Sequence, residues 1–241
     1  MREQFVPTPV GRARLDWYPA TGDRRATAVL GHGNATGVEA AELQALARAL
    51  PGNGISVVLM TQPYRIEHDR RVAGERSLDA AWEAIWPHAL AAAGTGPVIA
   101  GGRSAGSQVA CRTADNLGAS AVLVLAYPLL GPGSAAELLA VALPTLVIQG
   151  GADPFGRPDQ FPPMPHNMRL VEIPSANHMF ASAEGGSAAA LGAITTAVEA
   201  WIDGWEWSAG APVRGSTRTQ CCAGRDEHEQ AVGCAEGGRC R

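Results

Sequence analysis

The chain has no lysine: all 19 of its basic residues are arginine. That absence excludes Schiff-base chemistry and any lysine general base. No stretch of eighteen apolar residues occurs, so nothing in the sequence is long enough to span a bilayer. The first residues, MREQFVPTPVGRARLDWYP, lack the apolar core of a secretory signal, which predicts a cytoplasmic protein. Excess positive charge is missing too. The formal net charge of −4 gives no basic surface for nucleic acid or an anionic membrane, and neither is expected as a partner. Cysteines are few and badly placed for a disulfide framework: Cys111 stands alone in the body, while Cys221, Cys222, Cys234 and Cys240 crowd the carboxyl end. That distribution suggests a reducing compartment. The late cysteines contain no CxxC pair, so no metal is expected there or elsewhere. Cys111 reads as a small buried hydrophobe rather than a nucleophile.

The 46 % of apolar residues are arranged in short runs. Residues 26–31 (ATAVLG), 55–60 (ISVVLM), 97–101 (PVIAG), 120–126 (SAVLVLA), 144–149 (PTLVIQ) and 169–173 (RLVEI) read as strands covered on both faces. Between them, 38–50, 77–93, 104–116, 134–142 and 187–205 have helical spacing or composition. Strand–helix alternation of this kind predicts a mostly parallel sheet with helices on both faces. A strand near 11–18 is expected to add an antiparallel edge. From Ser208 the chain turns polar, glycine-rich and aperiodic, which predicts one domain over 1–207 and a disordered tail over 208–241.

The chemistry is concentrated in three places. Gly102-Arg103-Ser104-Ala105-Gly106 follows a buried strand and opens a helix, the setting of a nucleophile elbow, where small neighbours relieve the crowding of a strained turn. Chance alone gives a GxSxG string about 0.16 times in a chain of this composition, so the context matters more than the string. Asp153, in Gly150-Gly151-Ala152-Asp153-Pro154, follows an apolar strand, where a carboxylate sits at the sheet's carboxyl edge. A turn aspartate before proline is an equal reading of the same residue. His178, in Ser175-Ala176-Asn177-His178-Met179-Phe180, follows the last strand. The order Ser, Asp, His is that of the α/β-hydrolase fold.

The loop Gly31-His32-Gly33-Asn34-Ala35-Thr36-Gly37 follows an early strand. Its backbone, most naturally the Asn34 amide, would join the Ala105 amide in an oxyanion hole. The same glycines fit a dinucleotide loop, but no acidic residue ends the following strand to hold a ribose, and no cofactor is expected. His32 rivals His178 as base on position alone. The bland alternative for the whole set is a glycine-rich turn with unrelated polar neighbours.

Several of these strings also carry a family resemblance. GHGNATG, GGRSAGSQVA, Tyr127-Pro128-Leu129 with the GPG after it, VIQGGADPFG and the late NHMF resemble the α/β hydrolases related to the testis-expressed Tex30 protein and to a chromatin-acetyltransferase subunit, distant relatives of dienelactone hydrolase. The likeness covers about 25–205 and implies the same triad, Ser104, Asp153 and His178. It departs at Arg103, Ala105 and Asn34-Ala35-Thr36, which touch the pocket.

Together these features predict a serine hydrolase acting on ester-type acyl bonds of small, short-acyl substrates. The connections 127–143 and 154–177 are too short for a large lid domain, although 61–76 could fold over the site as a polar cover presenting Tyr64, Arg65 or Arg70. The alternatives are a scaffold or interaction protein that keeps the fold, or an acyltransferase or perhydrolase using the same triad. Composition leaves the oligomeric state open.

Overall fold

The computed structural model describes residues 1–67, 73–131, 134–182 and 186–205. The proposed tail, its four cysteines and Arg70 lie outside the described residues. Among the described residues, eight strands form one sheet: β1 (Arg2–Thr8), β2 (Gly11–Tyr18), β3 (Ala26–Gly31), β4 (Ile55–Thr61), β5 (Val98–Arg103), β6 (Ala121–Leu125), β7 (Thr145–Gly150) and β8 (Met168–Ile173). Their spatial order is β1-β2-β4-β3-β5-β6-β7-β8. β1 pairs antiparallel with β2, and β2 with β4; every other pairing is parallel.

The six expected strands are present within a residue or two. The strand near 11–18 is also present and antiparallel, but it is not the edge: β1 lies outside it. β1 buries only Val6 fully, so its sequence has little apolar signal, and ladder bonds to β2 hold it in place.

The continuous apolar strands serve two cores. Val29, Val58, Val122, Val124 and Val147 face one side. Their neighbours Leu30, Leu59, Leu123 and Ile148 face the other. Period-two alternation between two buried faces is why these strands read as unbroken hydrophobic runs. Helices α1 (Ala41–Ala49) and α6 (Gly186–Asp203) cover one face with Leu43, Leu46, Ile194, Val198 and Trp201. On the other, α3 (Glu75–Ala93), α4 (Ala105–Leu117) and α5 (Ser134–Leu139) contribute Trp82, Ile85, Trp86, Val109 and Leu138. A single-turn helix, α2 (Pro63–Ile66), follows β4. Among the described residues, no helix is long and apolar enough to cross a membrane.

Parallel order points the carboxyl ends of β3 to β8 the same way, so the loops after β3, β5, β7 and β8 meet at one edge. That is where an open α/β sheet places its ligand site.

Candidate active site

Between β5 and α4 the chain reverses at Ser104, with φ 51° and ψ −121°. Such a conformation is costly for a residue with a side chain, by roughly 1–3 kcal/mol, and persists only where the surroundings enforce it. They do so through close backbone approach. A methyl at Gly106 would lie 2.6 Å from the Gly31 carbonyl oxygen, so only glycine lets α4 start against the end of β3. The Ser107 hydroxyl then donates to the Ser104 carbonyl at 2.6 Å. The other non-glycine residues with positive φ among those described, Ala126, Ser175 and Phe180, also lie in loops at this edge.

The structure brings the three sequence-predicted side chains together. His178 Nε2 lies 3.1 Å from Ser104 Oγ, and His178 Nδ1 lies 2.8 Å from Asp153 Oδ2. Asp153 is buried. Its Oδ1 accepts from the Phe155 amide at 2.8 Å and its Oδ2 from Gln149 Nε2 at 2.9 Å. Gln149 is itself pinned, accepting from the Tyr127 amide at 2.7 Å and donating to the Gly156 carbonyl at 2.6 Å. Asp153 is therefore held by a strand side chain and by its own turn, so the turn and catalytic readings of this residue are compatible. The His178 loop is shaped by Asn177, whose Oδ1 accepts from the Met179 and Ala181 amides at 2.9 and 3.2 Å.

Ala105 is the first residue of α4, so its amide has no acceptor within the helix and points from the positive end of the helix dipole. The loop carrying Asn34 passes directly over the elbow: a methyl at Gly33 would lie 3.1 Å from Ser104 Cβ. Asn34 and Ala35 are exposed at its crest.

The rival histidine has a different environment. His32 is buried; its Nε2 accepts from the Gln62 amide at 3.0 Å, and its Nδ1 lies 2.8 Å from the Gly33 carbonyl. The two partners fix a neutral ring with the proton on Nδ1, tying the loop after β3 to the end of β4. Burial pushes the His32 pKa below its ordinary 6.5, with the Arg65 charge adding to the effect against the Gly33 carbonyl. The unfolded chain then binds the extra proton first, so the contribution of His32 to stability is constant above about pH 6.5 and falls below it, by up to about 1.4 kcal/mol per pH unit. Urea titrations at pH 7.5 and 5.5 should show this loss in the wild type and a smaller one in His32→Gln. Equal losses would remove His32 from the account.

Cys111 is buried and free, and burial pushes its thiol pKa up, which disfavours the thiolate. Among the described residues no group of three His, Cys, Asp or Glu is placed to hold a metal ion. After β4, Arg65 pairs with Glu39 at 3.2 Å, and the nearly buried Tyr64 ring lies 5.9 Å from the His32 ring. The rest of the suggested polar cover, 68–72, lies outside the described residues.

Four side chains at the site were not assigned from sequence: Gln149, Phe155, Glu42 and, as a functional group, Arg103. The Phe155 ring lies 4.6 Å from the His178 ring, centroid to centroid, and stays half exposed. An aromatic directly after Asp153-Pro154, in a chain with four phenylalanines, was the available signal.

No curated protein sequence is significantly similar to the chain. Solved structures are similar in fold. An alpha-beta serine hydrolase homologue from Coxiella burnetii superposes with TM-score 0.69 at 17 % identity, over 82 % of this chain and 97 % of that one. A serine hydrolase without lid from Xanthomonas campestris gives 0.67 at 23 %, over 83 % and 94 %. Dienelactone hydrolase from Anabaena variabilis gives 0.64 at 21 %, over 84 % and 97 %. Residues 24–203, nearly all of the parallel sheet and its helices, match the family model described as alpha/beta hydrolase domain. With strand order, elbow and family model in agreement, the chain belongs to the α/β hydrolase domain family.

Proposed function

We propose that the protein is a serine hydrolase that cleaves small, short-acyl esters through Ser104, His178 and Asp153. The observation that carries this reading is the unbroken relay from Asp153 Oδ2 through His178 to Ser104 Oγ, with the serine held on a strained elbow. In the first step His178 Nε2 takes the hydroxyl proton as Ser104 Oγ attacks the ester carbonyl carbon. The developing oxyanion is held by the Ala105 and Asn34 amides. Collapse expels the alcohol, which leaves with the proton from His178. Water then attacks the acyl-serine with His178 again as base, releasing a carboxylic acid and the free serine. Asp153 keeps the imidazole in the tautomer that leaves Nε2 free. The residues need no metal or organic cofactor for these steps. The likeness of GGRSAGSQVA and VIQGGADPFG to the Tex30-related hydrolases supports the same assignment. A scaffold that only bound partners would not need the relay closed.

Substrate size follows from what surrounds His178. Phe155, its ring 4.6 Å from that of His178, and Met179, next in the chain, are exposed, as is Leu130, whose amide donates to the Phe155 carbonyl at 3.0 Å. A chain lying on them is covered on one side only. Each methylene then contributes less than the ~0.8 kcal/mol of full burial, under about fourfold in rate. Specificity constants for nitrophenyl esters should therefore level off by butyrate, with no activation at a lipid interface. A steady climb to octanoate would refute the short-acyl assignment. The deciding experiment for the whole reading is that ester panel run on wild type and Ser104→Ala.

A further inference from the structure

Arg103 precedes the nucleophile and is buried, with only 1 % of its side chain exposed. Nothing in the relay asks for a charge there. Its Nε lies 2.5 Å from Oε1 of Glu42, on α1, which is 0 % exposed. Nη1 donates to Thr36 Oγ1 at 2.8 Å, in the loop that carries Asn34. Nη2 donates to the His178 carbonyl at 2.8 Å and lies 3.4 Å from Met179 Sδ. A methyl at Gly33 would come within 2.8 Å of Nη1, so the oxyanion loop rests directly on the guanidinium. One planar group, carried by the elbow's own strand, thus touches the oxyanion loop, the base loop and α1.

A buried ion pair is a poor way to gain stability, because desolvation offsets the attraction; apolar side chains of similar volume do as well or better. What a guanidinium supplies and an apolar group cannot is several donors in fixed directions. The loops it joins contribute opposite halves of the reaction. The Thr36 loop stabilises the oxyanion and the His178 loop moves the proton. We infer that Arg103, neutralised by Glu42, is a positioning residue that sets the distances from Ser104 to both the oxyanion amide and the imidazole. This rests on the serine-hydrolase reading above and would be one of its specific devices. Positional errors of about 1 Å at a reacting centre cost on the order of 100-fold in rate, and that is the scale expected when the fork is removed.

Glu42 makes the inference separable from simple stability. Burial pushes its carboxyl pKa up while the Arg103 charge pulls it down. Without the guanidinium, only the lesser pulls of the Glu42 amide and of His178 oppose burial, and an unpaired buried carboxylate is strongly destabilising. Arg103→Met should therefore lose both melting temperature and turnover. Adding Glu42→Gln removes the stranded charge, so the double variant should regain most of the melting temperature. It should not regain turnover, because the bonds to Thr36 and His178 are still missing.

The experiment measures melting temperature, kcat and KM on p-nitrophenyl acetate for Arg103→Lys, Arg103→Met, the Arg103→Met/Glu42→Gln pair, Thr36→Val and Ser104→Ala. The inference expects kcat down about 100-fold in the double variant with KM within roughly threefold of wild type. Arg103→Lys, which keeps the charge beside Glu42 but not the fork, should melt near wild type with an intermediate kcat. Thr36→Val should lower kcat several-fold. If the methionine variants do not fold, Arg103→Lys and Thr36→Val decide the matter. A double variant whose kcat recovers with its melting temperature, an Arg103→Lys enzyme with wild-type kcat, or a loss confined to KM would each overturn the inference. Ser104→Ala separates the two levels. If it keeps full turnover, the serine-hydrolase reading fails; if it is inactive while the Arg103 variants are unimpaired, only the positioning role fails.

Discussion

Replacing Ser104 with alanine should lower ester hydrolysis by a factor on the order of 10⁶ while leaving the melting temperature unchanged. Among the described residues the Ser104 hydroxyl makes one side-chain hydrogen bond, 3.1 Å to His178 Nε2, and its neighbours Ala105 and Gly106 do not depend on it. What holds the elbow is backbone: the Ser104 amide donates to the Leu125 carbonyl at 2.9 Å, and its carbonyl accepts from the Ser107 and Gln108 amides. Alanine retains all of that, and retains the strain. Glycine does not retain the strain. Ser104→Gly releases roughly 1–3 kcal/mol of backbone cost and gives back about 0.4–1 kcal/mol through a freer unfolded chain. The glycine variant should thus be equally inactive but slightly more stable. An enzyme whose stability rises when its nucleophile is removed stores strain for function. The measurement is turnover on nitrophenyl acetate together with thermal unfolding of both variants. Turnover within tenfold of wild type in Ser104→Ala would end the nucleophile assignment.

The parts of this fold legible in sequence are those whose cause is local. β3, β4, β6 and β7 are buried on both faces, so nearly every residue in them is apolar, and the elbow's glycines flank the serine they serve. β1 escaped because its cause is not local: REQFVPT buries one residue fully and becomes a strand by pairing with β2. The site divides the same way. Ser104, Asp153 and His178 each follow a strand closely, and the topology of a parallel sheet gathers such positions at one edge. In sequence, Glu42 cannot be told from an ordinary acid in the first turn of α1. It is buried because the Arg103 guanidinium reaches it from the end of β5, and no spacing rule joins those two positions. Gln149 gave a weak signal, a polar residue ending an apolar strand, but its role depends on the Tyr127 and Gly156 backbones that surround it. His32 and His178 were equivalent by position after a strand. Only the Gln62 amide, brought alongside by β3–β4 pairing, makes His32 an acceptor committed to the loop.

Asp153→Asn is the second large expected effect, a loss of about 10⁴ in kcat. Both carboxylate oxygens are already occupied by donors: Oδ1 by the Phe155 amide, Oδ2 by Gln149 Nε2 and by His178 Nδ1. An asparagine amide must place its NH₂ against one of these sets. Placed toward His178, it meets the Gln149 amide head-on and forces the imidazole to accept at Nδ1. The ring proton then sits on Nε2, facing Ser104, where it cannot receive another. Placed toward Phe155, it spares the tautomer but leaves a buried amide N–H facing a backbone N–H, and no negative charge remains to stabilise the imidazolium. Gln149 cannot turn over to help, because its Oε1 is held by the Tyr127 amide. Either arrangement leaves a buried donor unpaired, at about 1–3 kcal/mol of folding stability, so a modest fall in melting temperature should accompany the loss of rate. The control is Glu172→Gln. Glu172 lies on β8, and a methyl at Gly151 would come 2.5 Å from its Oε1, so it reaches the same loop, while the partner of His178 Nδ1 is Asp153 at 2.8 Å. Near-normal turnover in Asp153→Asn with collapse in Glu172→Gln would mean that the acid of the relay is misassigned; the opposite result keeps Asp153 as the residue that sets the tautomer of His178.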